Sequence, residues 1–327
     1  MHILSSYYLD EANNTRIAET ATELGWTFTP ATDFELKKRI ELVEEKIHTA
    51  DILLGGRLTD EQWKRATRLQ WIHVPWAGVN SLLAVEGIRE SDMTISNSSG
   101  VMSDAVADQT MAFMLMMARD LPVQIRAQPE RRWINYSVQD GRRRLLRGAT
   151  LGIAGYGAIG RALATRARSF GMRVIASKRD VSSTPPELDA VYSDNRIGEM
   201  VEASDYLVIA LPLTDATRGL FDRTLLARMK PGAYLINIAR GEVVVEEDLV
   251  EALSSNAIAG AALDVFGKEP LPEDSQLWAL ENAIVTPHSA GGFVGFAEAV
   301  TEMFIENMRR YVRGEDLVNR VRQREGY

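Results

Sequence analysis

Over the first hundred residues, short apolar runs alternate with polar stretches patterned as amphipathic helices. Ile3–Leu4, Trp26–Phe28, Asp51–Leu54, Trp71–Val74 and Met93–Ser96 read as strands, and 11–24, 34–48 and 59–66 as the helices between them. That alternation predicts a mostly parallel sheet covered by helices. Residues 103–119 follow as one strongly apolar helix, opened by the capping pair Ser103–Asp104. It is apolar on more than one face, which predicts packing beyond its own domain. Met111, Met114, Met116 and Met117, with Met102 ahead of them, read as packing residues rather than as sulfur chemistry.

A second series of strands and helices begins at Ala149. Its strands are expected at Thr150–Ala154, Arg173–Ala176, Tyr206–Ile209, Tyr234–Asn237, Gly260–Asp264 and Ala283–Val285. Helices are expected at 158–169, 196–203, 222–228 and 246–254. Six strands with crossover helices match a doubly wound dinucleotide-binding fold. One more amphipathic helix, 292–313, ends near Gly314. The basic run GRRRLLR, 141–147, reads as a solvated connection.

Composition narrows the class. The 327 residues suggest about two domains, and 46% hydrophobic with 25% charged residues fits a soluble globular protein with ample core. A net charge of −8 argues against nucleic acid as a general partner. There is no cysteine, which excludes disulfides and thiolate chemistry, and four histidines without cysteine leave little for a catalytic zinc site, so no metal is expected. The start MHILSSYYLDEANN lacks the basic and apolar regions of a signal peptide. No window has the apolar length of a membrane span. The expected address is therefore cytoplasmic, with no membrane partner.

Gly155, Gly157 and Gly160 give G-x-G-x-x-G between an apolar strand and a helix. Gly155 permits the tight turn, Gly157 lets a pyrophosphate approach the backbone, and Gly160 lets helix and strand pack closely. Backbone N–H groups of Tyr156, Ala158 and Ile159, at the helix N-terminus, then suit phosphate. The competing reading is a glycine turn in some other α/β protein. An NAD site usually carries an acid about 20 positions further on, which holds the adenosine ribose. Here that neighbourhood reads Ser177, Lys178, Arg179. The two cations cannot accept ribose bonds but can pair with the extra phosphate of NADP, and Ser177 can donate to it. Asp180 lies slightly beyond and is an alternative ribose acceptor; a solvated basic loop is another reading. NADP is the preferred expectation and NAD a possible one.

Three segments follow the ends of expected strands: NIARGEVV (237–244), ALDVFGKEPL (262–271) and VTPHSAGG (285–292). Reducing a carbonyl by hydride requires a proton for the developing alkoxide, positive charge beside it and a grip on the substrate. His288 suits the proton donor, Glu269 the partner of its imidazole, and Arg240 the bidentate grip on a carboxylate. Asp264 suits a supporting or nicotinamide-side role. Taken singly, Arg240 could cap a helix and Glu269 and His288 could be ordinary loop residues. His2, His48 and His73 read as structural.

Together these segments resemble the D-isomer-specific 2-hydroxyacid dehydrogenase family. The stretches that carry the likeness are RGATLGIAGYGAIGRALATRARSFGMRVI, LPLTDATRGLFD, MKPGAYLINIARGEVVVEEDL, ALDVFGKEPLP and TPHSAGG. The resemblance implies two Rossmann-like doubly wound domains. A flavodoxin-like substrate domain would comprise 1–98 plus 288–327, and a dinucleotide-binding domain 99–287. It implies catalytic roles for Arg240, Glu269 and His288. It places the cofactor along Gly155–Gly160, Leu211, Pro212, Thr217, Ile238, Ala239, Asp264 and Gly291, in addition to Arg240 and His288. Backbone amides of Ala77 and Gly78, beside Trp76, would bind the substrate carboxylate, and the helix 103–119 would join a homodimer.

The chain also departs from the family pattern. Lys178 stands where the ribose-binding Asp is common, Asn80 where an acid is frequent, and Phe293 near a common threonine. Trp76, Met102, Phe293 and Phe296 could form an apolar wall beside the reacting carbon. The expected activity is NADPH-dependent reduction of a small 2-keto acid, such as glyoxylate or hydroxypyruvate, to the D-2-hydroxy acid. The alternatives are a dinucleotide-sensing protein like the family's corepressors, or a phosphite-type dehydrogenase. The family's formate dehydrogenases have glutamine where Glu269 stands, which argues against formate.

Overall fold

A computed structural model of the chain describes residues 1–135 and 143–326, so the basic run at 141–147 begins, with Gly141 and Arg142, outside the described residues. The chain divides into two compact units, Met1–Met102 with Phe293–Tyr327, and Ser103–Gly292. These divisions fall a few residues beyond the expected 98/99 and 287/288, which puts His288 at the end of the second unit.

In the first unit, β1 (His2–Tyr8), α1 (Glu11–Glu23), β2 (Thr27–Ala31), α2 (Leu36–Lys46), β3 (Ile52–Leu54), α3 (Asp60–Arg65), β4 (Trp71–Val74), α4 (Asn80–Leu83) and β5 (Thr94–Asn97) follow in order. The strands form a parallel sheet ordered β2-β1-β3-β4-β5, the flavodoxin-like arrangement. Ile3, Ile52, Leu54 and Trp71 pack on one face, and Leu4, Leu53 and Ile72 on the other. Successive side chains of a strand point to opposite faces, and both faces here are covered, so these strands read as unbroken apolar runs. Local chemistry sets the helix starts. Asp10 accepts from the Asn13 N–H at 2.8 Å ahead of α1, and Thr59 and Gln62 form a reciprocal capping box at α3.

The second unit contains α5 (Ser103–Ala118), α6 (Leu121–Ala127), β6 (Thr150–Ala154), α7 (Ala158–Ser169), β7 (Arg173–Ser177), β8 (Ala190–Tyr192), α8 (Ile197–Ala203), β9 (Tyr206–Ile209), α9 (Arg223–Leu226), β10 (Tyr234–Asn237), α10 (Glu246–Ser254), β11 (Gly260–Leu263) and β12 (Ala283–Val285). Among the described residues the sheet is all-parallel, ordered β12-β11-β10-β9-β6-β7-β8. This is the doubly wound dinucleotide order with one strand added at an edge. The sequence pattern yields six strands here and misses β8, which has three half-buried residues at the opposite edge and follows Pro185–Pro186. It misses α6 as well. Finally α11 (Phe296–Arg313) returns to the first unit, packs on α1, and stops where Gly314 adopts φ 68°.

The helix α5 finds much of its apolar cover within its own unit. It packs along α7, burying Val106, Ala107, Met111, Phe113, Met114 and Met117, and Asp104 and Asp108 grip Arg166 at 2.9 and 2.6 Å. Among the described residues no helix is long and apolar enough to cross a membrane.

Candidate functional site

Strand order reverses between β6 and β9, and the loops leaving these strands part there, opening the crevice in which such sheets bind ligands. Gly155 occupies that point with φ 99°. A Cβ on it would stand 2.7 Å from the Ala210 carbonyl oxygen, so the turn admits only glycine. A Cβ on Gly160 would meet the Gly155 carbonyl oxygen at 2.8 Å, whereas at Gly157 it would meet nothing within 4 Å. Two of the glycines thus close the turn, and the third leaves a clear approach to the backbone. No side chain caps α7 and its first turn carries no acid, so N–H groups from Ala158 onward face that approach.

At the end of β7 the three expected phosphate ligands part company. Ser177 is buried, and its Oγ accepts from the Gly155 N–H at 3.3 Å, so it braces the glycine turn. Lys178 is half-buried, its backbone N–H donating to the Tyr192 carbonyl of β8 at 3.1 Å, and Arg179 is exposed. Asp180 closes its own turn by accepting from the Ser182 N–H at 2.9 Å. Hydrogen bonds from Ser182 hold its carboxyl below the usual carboxylate range. Tyr156, between the first two glycines, donates its hydroxyl to Glu187 at 3.2 Å, and burial with the neighbouring Glu187 charge pushes the phenol up to about 12. Glu187 was not anticipated from the sequence.

The Arg, Glu and His candidates lie on loops after β10, β11 and β12, three adjacent strands. His288 Nδ1 pairs with Glu269 Oε2 at 2.7 Å, and Glu269 Oε1 accepts from the Phe266 N–H at 3.0 Å. His288 takes φ 51°, left-handed backbone that costs a non-glycine residue about 1–3 kcal/mol and must be held from outside. Asp264 does the holding. It is buried, its Oδ1 accepting from Thr286 Oγ1 at 2.6 Å and the Ser289 N–H at 3.0 Å, its Oδ2 from the Ala290 N–H at 3.0 Å. Those contacts grip the loop on both sides of His288.

Arg240 is mostly buried; burial pulls its guanidinium below its usual value, while the Glu269 and Glu242 charges oppose that fall. Asn237 shapes its turn, donating to the Arg240 carbonyl at 3.0 Å and accepting from the Ala239 N–H at 3.1 Å. Next comes Gly241, where a Cβ would lie 1.8 Å from the Phe266 carbonyl carbon. The loops bearing Arg240 and Glu269 therefore touch backbone to backbone. Asn237 and Gly241 shape these loops, and the close approach at Gly241 emerges only when distant loops are juxtaposed.

The remaining candidates are distributed as follows. Leu211 and Pro212 leave β9, and the Thr217 hydroxyl donates to the Pro212 carbonyl at 2.7 Å, closing that loop on itself. Ile238 and Ala239 are buried, and Gly291 is half-buried just past the His288 loop. In the first unit, Ala77 is tied through its carbonyl to Asn97 Nδ2 at 2.7 Å, and the half-buried Gly78 follows. Trp76 packs edge-on against Tyr7, and Phe293 against Phe296, as two aromatic pairs.

Residues 111–290 match the family model described as the D-isomer specific 2-hydroxyacid dehydrogenase, NAD binding domain. The chain is 33% identical to a glyoxylate reductase of Pyrococcus furiosus over 283 residues, 84% of this chain and 83% of that protein. It is 34% identical to an (S)-sulfolactate dehydrogenase of Chromohalobacter salexigens over 308 residues, 94% and 97% of the two chains. It spans about half the length, 51%, of a D-3-phosphoglycerate dehydrogenase of Methanocaldococcus jannaschii, at 33% identity over 278 residues. Among solved structures, a D-isomer specific 2-hydroxyacid dehydrogenase of Xanthobacter autotrophicus Py2, in complex with NADPH and MES, superposes with a TM-score of 0.82 at 30% identity. That match covers 100% of this chain and 99% of the other.

Proposed function

The chain belongs to the D-isomer specific 2-hydroxyacid dehydrogenase family of NAD(P)-dependent oxidoreductases, and from that premise we propose that it reduces a small 2-keto acid to the D-2-hydroxy acid with NADPH, reversibly. The observation that carries the reading is the His288–Glu269 pair at 2.7 Å, set on strand-end loops that pack directly against the turn bearing Arg240.

The residues fit the cofactor. Open space at Gly157 and the uncapped start of α7 suit a pyrophosphate, and Lys178 with Arg179 suit a further phosphate on the adenosine ribose. Bound nicotinamide supplies the hydride. Arg240 grips the substrate carboxylate and places positive charge beside the carbonyl oxygen. Because Glu269 engages Nδ1, His288 presents Nε2 to that oxygen and delivers the proton there. The same reading takes the protein as a cytoplasmic homodimer joined through α5, which light scattering in solution would test.

A panel of 2-keto acids assayed by NADPH oxidation, with the product resolved by chirality, tests the activity. Turnover of glyoxylate, hydroxypyruvate or a close analogue to the D-product is expected. No turnover across the panel would overturn the reading and favour a sensing protein, and phosphite oxidation would move it to the other branch.

A further inference from the structure

β7 and β8 run parallel, so the chain between them must travel back along the strands before it can pair again. Such crossovers are usually helical, but residues 178–189 form no helix. This bare crossover carries Lys178 and Arg179 at its start, and Val181, Ser182, Ser183 and Thr184 on it are exposed. Its far end is firmly tied. Leu188 is buried, and its N–H donates to the Pro185 carbonyl at 3.0 Å, closing a turn around Pro186 and Glu187. Asp189 then exchanges two bonds with Val174 of β7. Its N–H donates to the Val174 carbonyl and its Oδ2 accepts from the Val174 N–H, each at 2.7 Å.

Glu187 therefore projects from a turn of fixed backbone, and its carboxylate accepts from the Tyr156 hydroxyl at 3.2 Å. The Tyr156 ring is itself seated: a Cβ on Gly160 would stand 3.4 Å from it, at the start of α7. The Tyr156 N–H donates to the Ser177 carbonyl at 3.1 Å, beside the contact of the Gly155 N–H with Ser177 Oγ. One residue of the glycine loop thus holds the crossover on both sides of the two cations, at Ser177 before them and at Glu187 beyond. With its phenol pushed up to about 12, Tyr156 remains a donor at any ordinary assay pH. A loop ordered in advance spares its cations the conformational cost of gathering around an anion.

We propose that the Tyr156–Glu187 bond is a latch that fixes the crossover, and with it Lys178 and Arg179, for the extra phosphate of NADPH. Tyr156 and Glu187 are positioning residues for cofactor choice and act through the two cations. The effect on cofactor choice rests on the NADPH reading above; the latch in the free protein does not.

The test uses Tyr156→Phe, which removes one oxygen, Glu187→Ala, which removes the acceptor, and Glu187→Gln, which keeps one. Hydrogen exchange over 178–189, read by mass spectrometry without cofactor, should quicken in the first two and stay near wild type in Glu187→Gln. Fluorescence titration gives Kd for NADPH and for NADH in each protein. One hydrogen bond to a charged acceptor corresponds to roughly tenfold, so Kd for NADPH should rise by about that factor in Tyr156→Phe and Glu187→Ala. Kd for NADH should stay within about twofold, and the double variant should add little to either single change. Glu187→Gln should recover most of the NADPH affinity. Equal weakening of both cofactors would make the contact a general brace of the glycine loop and overturn the proposal. Unchanged exchange over 178–189 in Tyr156→Phe overturns it too. If wild type binds NADH as tightly as NADPH, the cofactor reading fails, and the exchange measurement still decides whether the latch exists. Thermal melts establish that each variant is folded.

Discussion

Asp264 offers the sharpest test of how the His288 loop is held. Its carboxylate accepts three hydrogen bonds, from Thr286, Ser289 and Ala290, and it is 2% exposed. Hydrogen bonds to a charged acceptor contribute about 1.5–3 kcal/mol each, and bonds made by one group are not additive. Asp264→Ala leaves three donors without their acceptor at a loop that can partly relax, for a loss of about 3–5 kcal/mol. Asp264→Asn keeps one oxygen but turns an NH2 toward a backbone N–H, which costs about 2 kcal/mol. With the grip gone, the left-handed backbone at His288 relaxes and its ring leaves Glu269. Turnover should then fall toward the limit of losing a general acid, about 10²–10⁴-fold, in Asp264→Ala and less in Asp264→Asn. Steady-state kinetics, NADPH titration by tryptophan fluorescence and thermal melts read these effects separately. If kcat in Asp264→Ala stays within a factor of about two, the anchoring argument is wrong. If NADPH affinity collapses while kcat is kept, Asp264 serves the cofactor directly.

Other outcomes follow from the same geometry. His288→Ala should lower kcat by about 10²–10⁴ with NADPH affinity kept, and parallel loss of both would make the histidine structural. Gly241→Ala forces a Cβ into the backbone of Phe266, where no flexible side chain can yield. Overpacking of this kind costs about 1–3 kcal/mol, so a melt several degrees lower and a higher KM are expected; a silent substitution would refute the close approach. His73 is fully buried between Ser96 and Ser98, and burial lowers its pKa from 6.5 to about 3. Its folded value lies below the unfolded one, so the unfolded chain takes up the proton first. Stability is therefore intact above about pH 6.5 and declines as pH falls toward 3, by at most about 5 kcal/mol. Denaturant unfolding between pH 4 and 7 should show a shallower pH dependence for His73→Asn, and identical slopes would contradict the assignment.

Much of this molecule is legible in its sequence because the signals are local. The strands that carry the site are apolar runs buried on both faces, and the glycine loop announces its turn by residue type. The less legible parts depend on neighbours distant in the chain. β8 has only half-buried residues at a sheet edge, so its pattern is weak. Ser177 reads as a phosphate ligand but is turned inward to the Gly155 N–H, a contact that exists only once β6 and β7 are paired. Gly241 and Asn237 gain meaning when the β10 and β11 loops meet. The apolar character of α5 reads as an external interface, yet α7 already covers much of it.

The central claim is that the cations beyond β7 choose a phosphorylated cofactor for a carbonyl reduction run by Arg240, Glu269 and His288. The most direct measurement is the ratio of kcat/KM for NADPH over NADH at one saturating keto acid. One charge-assisted contact to the extra phosphate predicts a ratio of roughly 10–100 in favour of NADPH, falling toward unity in Lys178→Ala. A ratio at or below one in the wild-type protein would contradict it.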